Sequence, residues 1–156
     1  MNICVNIHFS LNLRLRKEYD MTRREERELL TAVIFELSFY TKEEFPEIYE
    51  SEKEYREFSS DYIDKCVFGI LENLESIDEK ISECAIKWKL SRLSRMTLAI
   101  FRVSVYEMLY ERLPFNISIN EAVELAKKYD DDNSPAFING ILNKIATVKG
   151  LKSDEK

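Results

Sequence analysis

The sequence predicts an all-α fold, a single domain of six to seven helices. Only three glycines and three prolines occur among 156 residues, too few turn-forming residues for a many-stranded fold. Apolar residues recur instead at the spacing of helix faces over most of the chain. Hydrophobic residues make up 45% and charged residues 33%, the composition of a globular protein with one sizeable core.

Residues 1–20 differ from the rest of the chain. Apolar and mostly polar residues alternate from Ile3 to Leu15, a period of two that is typical of an amphipathic strand. No second strand pattern follows, and a lone strand cannot satisfy its backbone groups. The stretch also lacks the basic start and unbroken apolar run of a signal peptide. Because the helical pattern begins directly after Met21, we expect Met21 to be the native start and residues 1–20 to lie outside the fold.

The first predicted helix runs from Thr22 to Phe39. Thr22 and Glu25 have the three-residue spacing of a capping box. Arginines at positions 23, 24 and 27 follow this start, and we expect all three to point to solvent because the opposite face is apolar. That face combines residues at i, i+3, i+4 and i+7, namely Leu30, Val33, Ile34 and Leu37.

The sequence predicts three helices in the middle of the chain. Residues 41–56 are acidic and broken by Pro46, so we expect a short helix with loops. Helical spacing returns from Phe58 to Leu74, where Cys66 stands among the apolar residues of the buried face. A separate short helix is predicted from Asp78 to Trp88.

The most apolar predicted helix spans Leu93 to Tyr110. Apolar residues occupy nearly every side of it, so we expect it in the middle of the domain, with Pro114 beyond its end. Ser118 and Glu121 repeat the capping-box spacing, with Ile117 and Ala122 as a hydrophobic staple. This pair predicts the start of the next helix.

The last predicted helix begins after an acidic turn that follows Tyr129. Ser134 is expected to cap it, with Pro135 at the first helical position, where a missing N–H costs nothing. Gly150 is expected to close it. The domain is therefore predicted to span residues 21–150, followed by a tail of residues 151–156.

No catalytic, metal-binding or cofactor-binding constellation is present in the sequence. The one histidine, His8, lies in the extension, and no phosphate-binding glycine motif occurs. The three cysteines include no CxxC pair, which fits a reducing cytosol rather than a disulfide framework. No apolar run is long enough to span a membrane. We therefore expect a cytoplasmic protein that is not an enzyme, holds no cofactor and does not contact membranes.

The charge of the chain is unevenly placed. The formal net charge is −6, and residues 41–64 alone carry a net of −6. Residues 87–112 carry a net of +4, from two glutamates and six cations: Lys87, Lys89, Arg92, Arg95, Arg102 and Arg112. Because binding responds to local potential, this stretch fits either a nucleic-acid-binding face or an ordinary solvated surface.

Four stretches together resemble the NusB family. The arginine-rich opening from Thr22 to Glu28 is similar to the family's RREAR start. The segment from Leu98 to Glu107 is similar to LRLAxYE, with Phe101 replacing the more usual leucine. Ile119 to Tyr129 resembles INEAVELAKKF almost letter for letter, and Ser134 to Leu142 resembles S-x-x-FVNGVL. The likeness runs in order from Thr22 to about residue 149.

The resemblance implies a compact domain of two packed helical bundles that acts in transcription antitermination. Members pair with the small-subunit ribosomal protein NusE, bind the single-stranded RNA element boxA, and support read-through of ribosomal RNA operons with other Nus factors and RNA polymerase. Family members include monomers and homodimers, so both states stay open here. The candidate RNA-binding residues combine guanidinium groups with one aromatic ring and polar neighbours near the last helix. They are Arg23, Arg24, Arg27, Asn133, Phe137 and Lys144.

One departure from the family pattern and two rival interpretations accompany this resemblance. Glutamates interleave with the opening arginines, so we expect weak RNA affinity without the protein partner. The same helical domain precedes some ribosomal RNA cytosine methyltransferases, but the sequence continues only six residues past Gly150, and we expect no catalytic domain. A helical protein–protein adaptor without an RNA role is the second rival.

Removing residues 1–20 should leave the domain intact, because this segment has no predicted partner. We expect the truncated chain to melt within a few degrees of the full chain, and limited proteolysis to trim these residues first. A fall of the melting temperature by several degrees on deletion would contradict this interpretation.

Overall fold

The computed structural model describes residues 21–151, which form seven α-helices and one 3₁₀ turn with no strand among them. The all-α prediction is confirmed, while the strand-like pattern of residues 3–15 lies outside the described residues. No helix within 21–151 is long and apolar enough to cross a membrane. The helices are α1 Arg23–Leu37, α2 Phe45–Arg56, α3 Asp61–Glu72, α4 Leu74–Cys84, α5 Arg95–Leu109, α6 Phe115–Tyr129 and α7 Ser134–Val148, and the 3₁₀ turn is Leu90–Arg92.

The chain divides into two compact units after Val67. The described part of the N-terminal unit, residues 21–67, contains α1, α2 and the first half of α3. The C-terminal unit, residues 68–151, contains the rest of α3 and helices α4 to α7. Each unit has its own set of buried apolar side chains.

The N-terminal unit is built on the apolar face of α1. Its predicted core residues Leu30, Val33, Ile34 and Leu37 are all buried. The predicted capping box at its start is confirmed, because the Glu25 N–H donates to Thr22 Oγ1 (3.3 Å) and the Thr22 N–H donates to Glu25 Oε2 (2.8 Å). Cys66 is fully buried, as expected.

A buried tyrosine connects α2 with α3 inside this unit. The hydroxyl of Tyr49, only 1% exposed, donates to Asp64 Oδ1 (2.5 Å). Lys53 Nζ lies 3.2 Å from the same carboxylate oxygen, so Asp64 is shared by a hydroxyl and an ammonium group. Burial, together with the bond to Asp64, raises the pKa of the Tyr49 hydroxyl well above its usual value. This tyrosine therefore stays neutral over the whole physiological pH range.

Pro46 begins a helix rather than breaking one. It lies in the first turn of α2, where the missing N–H would have no partner in the helix. The helix ends at Arg56, and the capping residue Glu57 adopts the left-handed conformation (φ 54°), while the Phe58 N–H donates to the Lys53 carbonyl (3.2 Å). Arg112, just after α5, also has a positive φ of 55°.

The C-terminal unit surrounds α5, as its apolar composition predicted. Helices α4, α6 and α7 all pack against it. Its side chains Ile100, Phe101, Val103 and Val105 are at most 1% exposed. Its N-terminus is capped by Ser94, whose hydroxyl oxygen accepts the Thr97 N–H (2.9 Å).

Two predicted boundaries between helices were wrong. The break between α3 and α4 falls at Asn73, where the side-chain amide donates to the Gly69 carbonyl (2.8 Å) and competes with the helical backbone pattern. Helix α4 then ends at Cys84, four residues before the predicted end at Trp88. Trp88 consequently lies in a turn, held by its N–H to the Ala85 carbonyl (2.8 Å).

The predicted start of α6 at Ser118 was also wrong. The helix begins at Phe115, directly after Pro114. Ser118 is fully buried within it and donates its hydroxyl to the Ser104 carbonyl on α5 (3.1 Å), so it serves helix packing and not capping. Ile117 is 46% exposed, which contradicts the proposed hydrophobic staple.

The ends of α7 are partly as predicted. Ser134 is the first helical residue and not the cap, since Asn133 precedes the helix and the Ser134 hydroxyl donates to Asp131 Oδ1 (3.2 Å). Gly150 does close the helix, with a φ of 69°. The N–H groups of Gly150 and Leu151 donate to the carbonyls of Thr147 (3.0 Å) and Ala146 (2.9 Å), the pattern of a Schellman motif.

Gly69 allows α3 to approach α5 closely within the C-terminal unit. A Cβ atom at this position would overlap the hydroxyl and ring of Tyr106, which is buried and stacked on Tyr110 (5.4 Å between ring centroids). Any larger residue would have to push the Tyr106 ring out of this contact.

Gly69→Ala should therefore destabilise the protein despite the better helix propensity of alanine. We expect the free energy of unfolding to fall by about 1–3 kcal/mol, measured by urea unfolding followed by circular dichroism. Gly140→Ala is the matched control, because a Cβ at Gly140 on α7 meets no atom within 4 Å. That change should raise stability by about 0.5–1 kcal/mol. Equal effects of the two substitutions would show that the Tyr106 contact imposes no constraint.

Candidate nucleic-acid interface

Two of the three predicted arginines are exposed at the start of α1. The Arg23 side chain is 55% exposed, and its Nη1 lies 2.8 Å from Glu26 Oε2. Its guanidinium carbon also stands 3.6 Å from the ring centroid of Tyr62. Arg24 is exposed beside it. The start of the helix therefore presents two cations, one of them fixed by an ion pair and an aromatic ring.

Arg27 does not point to solvent, which corrects the expectation for this residue. It is only 5% exposed. The reason is its position, because Leu30 and Ile34 follow it at i+3 and i+7 and place it on the buried face of α1. Its place in the arginine-rich opening hid this register. Arg27 is therefore part of the interior of the N-terminal unit.

An aromatic pocket lies in the C-terminal unit, and we call it the Trp88 pocket. The Trp88 and Phe137 rings meet edge to face, with centroids 5.7 Å apart, and Phe137 makes the same kind of contact with buried Phe101 at 5.8 Å. Trp88 itself is 54% exposed and Phe137 is half-buried. The open pocket beside these rings has a volume of about 310 Å³. Its other lining residues are Arg92, Leu93, Ser94, Thr97, Asp131, Asn133 and Ser134.

Hydroxyl groups line one wall of the Trp88 pocket, and aspartates hold them in place. The Thr97 hydroxyl donates to Asp130, and the Ser94 hydroxyl lies within bonding distance of Asp130 Oδ1 (3.3 Å) and Thr97 Oγ1 (2.9 Å). Asp131 Oδ1 accepts the Ser134 hydroxyl (3.2 Å) and the N–H groups of Asn133 (2.9 Å) and Ser134 (3.1 Å). The polar wall is thus fixed before any ligand arrives.

Several exposed cations lie close to Trp88 in the sequence. Lys87 and Lys89 flank Trp88 and are exposed, and exposed Arg92 lines the pocket itself. Not every cation of the basic stretch is available, because Arg102 forms a bidentate pair with Asp78 at 2.9 Å and 2.7 Å. The sequence analysis did not select Trp88 and Arg92 as candidate residues, since Trp88 was placed at the end of a helix. A lone tryptophan between two lysines was the available signal.

The structure brings together two of the three candidates on the C-terminal unit. Asn133 and Phe137 both line the Trp88 pocket. Lys144 does not line it, although its side chain is exposed. Its ammonium group donates to the Cys84 carbonyl at the end of α4 (3.1 Å), where the helix dipole favours a cation.

Burial raises the pKa of the Cys84 thiol, so the thiol stays protonated.

Comparisons with known proteins agree on one family. A model of the NusB family matches residues 24–147. The transcription antitermination protein NusB of Clostridium novyi (strain NT) is 48% identical over 78% of this chain and 96% of its own length. That of Thermoanaerobacter sp. (strain X514) is 42% identical over 86% of this chain and 97% of its own.

Solved structures give the same result. T. maritima NusB has a TM-score of 0.71 and 35% identity, covering 82% of this chain and 92% of its own. A structure of the antitermination factors NusB and NusE in complex with dsRNA has a TM-score of 0.70 over 82% of this chain and 99% of its own; at 21% identity it supports the fold alone.

The difference between Arg24 and Arg27 should appear in stability. Arg27→Ala removes a buried side chain with a long packed stem, so we expect a loss of about 2–3 kcal/mol in the free energy of unfolding. Arg24→Ala changes an exposed residue and should stay within about 0.5 kcal/mol. Urea unfolding of the two variants measures the contrast, and two indistinguishable midpoints would show that Arg27 is not an interior residue.

Proposed function

Because the chain belongs to the NusB family, we propose that it is a transcription antitermination factor that binds RNA together with NusE. The RNA is a single-stranded boxA-type element, and the complex supports read-through of ribosomal RNA operons with other Nus factors and RNA polymerase. The curated relatives carry the name transcription antitermination protein, which supports the first part of this proposal. The Trp88 pocket carries the RNA-binding part, because single strands are bound by aromatic rings beside cations.

The exposed cations have the first role in the proposed complex. Arg23 and Arg24 contact phosphates, and the guanidinium plane suits both phosphate contact and base stacking. Arg27 supports the position of this helix start from inside the unit. On the C-terminal unit, Asn133 and Phe137 contact the strand at the Trp88 pocket, and Lys144 contributes charge.

Loss of Arg23 and Arg24 should weaken RNA binding in a salt-dependent manner. We expect the double alanine variant to flatten the log–log dependence of boxA RNA affinity on salt by about 0.7 for each lost phosphate contact. The measurement is a titration of labelled boxA RNA into the complex with NusE at several salt concentrations. Binding of NusE without RNA should be unchanged, because we expect the pairing with NusE to use other surfaces of the protein.

A matched variant separates specific contacts from net charge. Lys42→Ala with Lys65→Ala removes two exposed cations from the same unit, one in the loop before α2 and one on α3. This control should keep the wild-type slope. Equal slopes for the two double variants would mean that the arginines act only through net charge, and a complex that binds no boxA RNA would favour a protein–protein adaptor.

A further inference from the structure

We propose that the Trp88 pocket accepts one unstacked RNA base that carries an exocyclic amino group, and that it excludes phosphate. This inference rests on the proposed RNA binding and adds the chemistry by which one position of the strand is recognised. Three observations support it. The face of Trp88 is exposed, acidic groups lie at the wall, and the hydroxyls of the wall already donate their protons to aspartates or to a neighbouring hydroxyl.

The rings and the size of the pocket suit a single base. Trp88 is half-exposed in a turn, while Phe137 is braced from behind by Phe101. A base can stack on the open face of the indole, and such stacking is tolerant of sequence. The volume of about 310 Å³ is at the lower end of the range for small-molecule pockets, so it fits one base and not a longer segment.

The charge of the wall disfavours a phosphate inside the pocket. Asp131 is one of its lining residues, and Asp130 accepts hydrogen bonds from the wall hydroxyls of Ser94 and Thr97. A phosphate in the pocket would face two carboxylates, whereas a neutral base would not be repelled. Arg92 is the exposed cation that lines the pocket, and it is placed to hold the phosphate of a base bound there.

The hydrogen-bonding pattern of the wall selects the edge of the base. The protons of the Thr97 and Ser134 hydroxyls go to aspartates, and the Ser94 proton goes to Asp130 or Thr97. The hydroxyls of the wall therefore present mostly acceptor oxygens to the pocket. Adenine, cytosine and guanine offer an amino group to such acceptors. Uracil presents two carbonyl oxygens and only one N–H, so it matches less well.

The single tryptophan of the chain makes base entry directly measurable. Trp88 is the only tryptophan, so its fluorescence reports this pocket alone in the full-length protein. The probes are three RNA heptamers, rU3-A-U3, rU3-C-U3 and rU7, and binding is followed independently by the anisotropy of a terminal label. Adenine and cytosine oligonucleotides should quench Trp88 more and bind about threefold to tenfold more tightly than rU7. Inorganic phosphate should not quench it.

One substitution on the RNA isolates the amino group. Replacing the central adenosine by purine riboside keeps the ring system and removes only the exocyclic amino group. The advantage over rU7 in affinity should then disappear, while stacking on Trp88 should persist. An advantage that survives this replacement would overturn the role of the amino group.

Protein variants test the ring itself by label anisotropy. Trp88→Ala should weaken binding of the adenine heptamer about fivefold to a hundredfold, and Trp88→Phe should restore most of it. Ile86→Ala is the matched control, since Ile86 is 76% exposed in the same turn and does not line the pocket. RNA that binds without quenching Trp88 would overturn the base pocket alone. If no RNA binds, with or without NusE, the proposed function fails as well.

Discussion

The burial of α5 on nearly every side is the constraint on which the C-terminal unit depends. Three of its residues each fix a different neighbouring helix. The Thr97 hydroxyl is bound to Asp130 at the end of α6, the Phe101 ring supports Phe137 on α7, and Arg102 holds Asp78 on α4 with two hydrogen bonds. Thr97 and Phe101 stand one helical turn apart, so the polar wall and the aromatic floor of the Trp88 pocket are positioned by the same helix.

Periodicity in the sequence was sufficient for the fold class and for the most apolar helices. The face of α1 and the central place of α5 follow from apolar residues at helical spacing, since burial of that surface is the dominant favourable term in folding. The boundaries were harder because they depend on single side chains. The same capping-box spacing was right at Thr22 and wrong at Ser118. The difference is tertiary, as Ser118 bonds to the carbonyl of Ser104 on another helix.

Only part of the candidate site was predicted from the sequence. Phe137 was predicted as an aromatic platform at the start of the last helix, but its partner Trp88 comes from a different part of the chain, and no local pattern connects the two. Arg27 was misplaced for the opposite reason. Its local pattern of neighbouring arginines suggested exposure, while its register with Leu30 and Ile34 placed it inside. For Phe137 the decisive information was which groups meet in space, whereas for Arg27 it was the helical register, which the sequence already contains.

The two left-handed residues described above have a consequence for the tolerance of the fold to change. Glu57 and Arg112 hold positive φ angles without being glycine, and each such conformation costs about 1–2 kcal/mol in a side-chain-bearing residue. The free energy of unfolding of a domain is about 5–15 kcal/mol in total, so the strain at these two residues lowers it by a noticeable fraction. Evolutionary drift to asparagine or glycine there would release this strain. Substitutions at these two positions would thus raise stability and compensate mildly destabilising changes elsewhere without altering any helix.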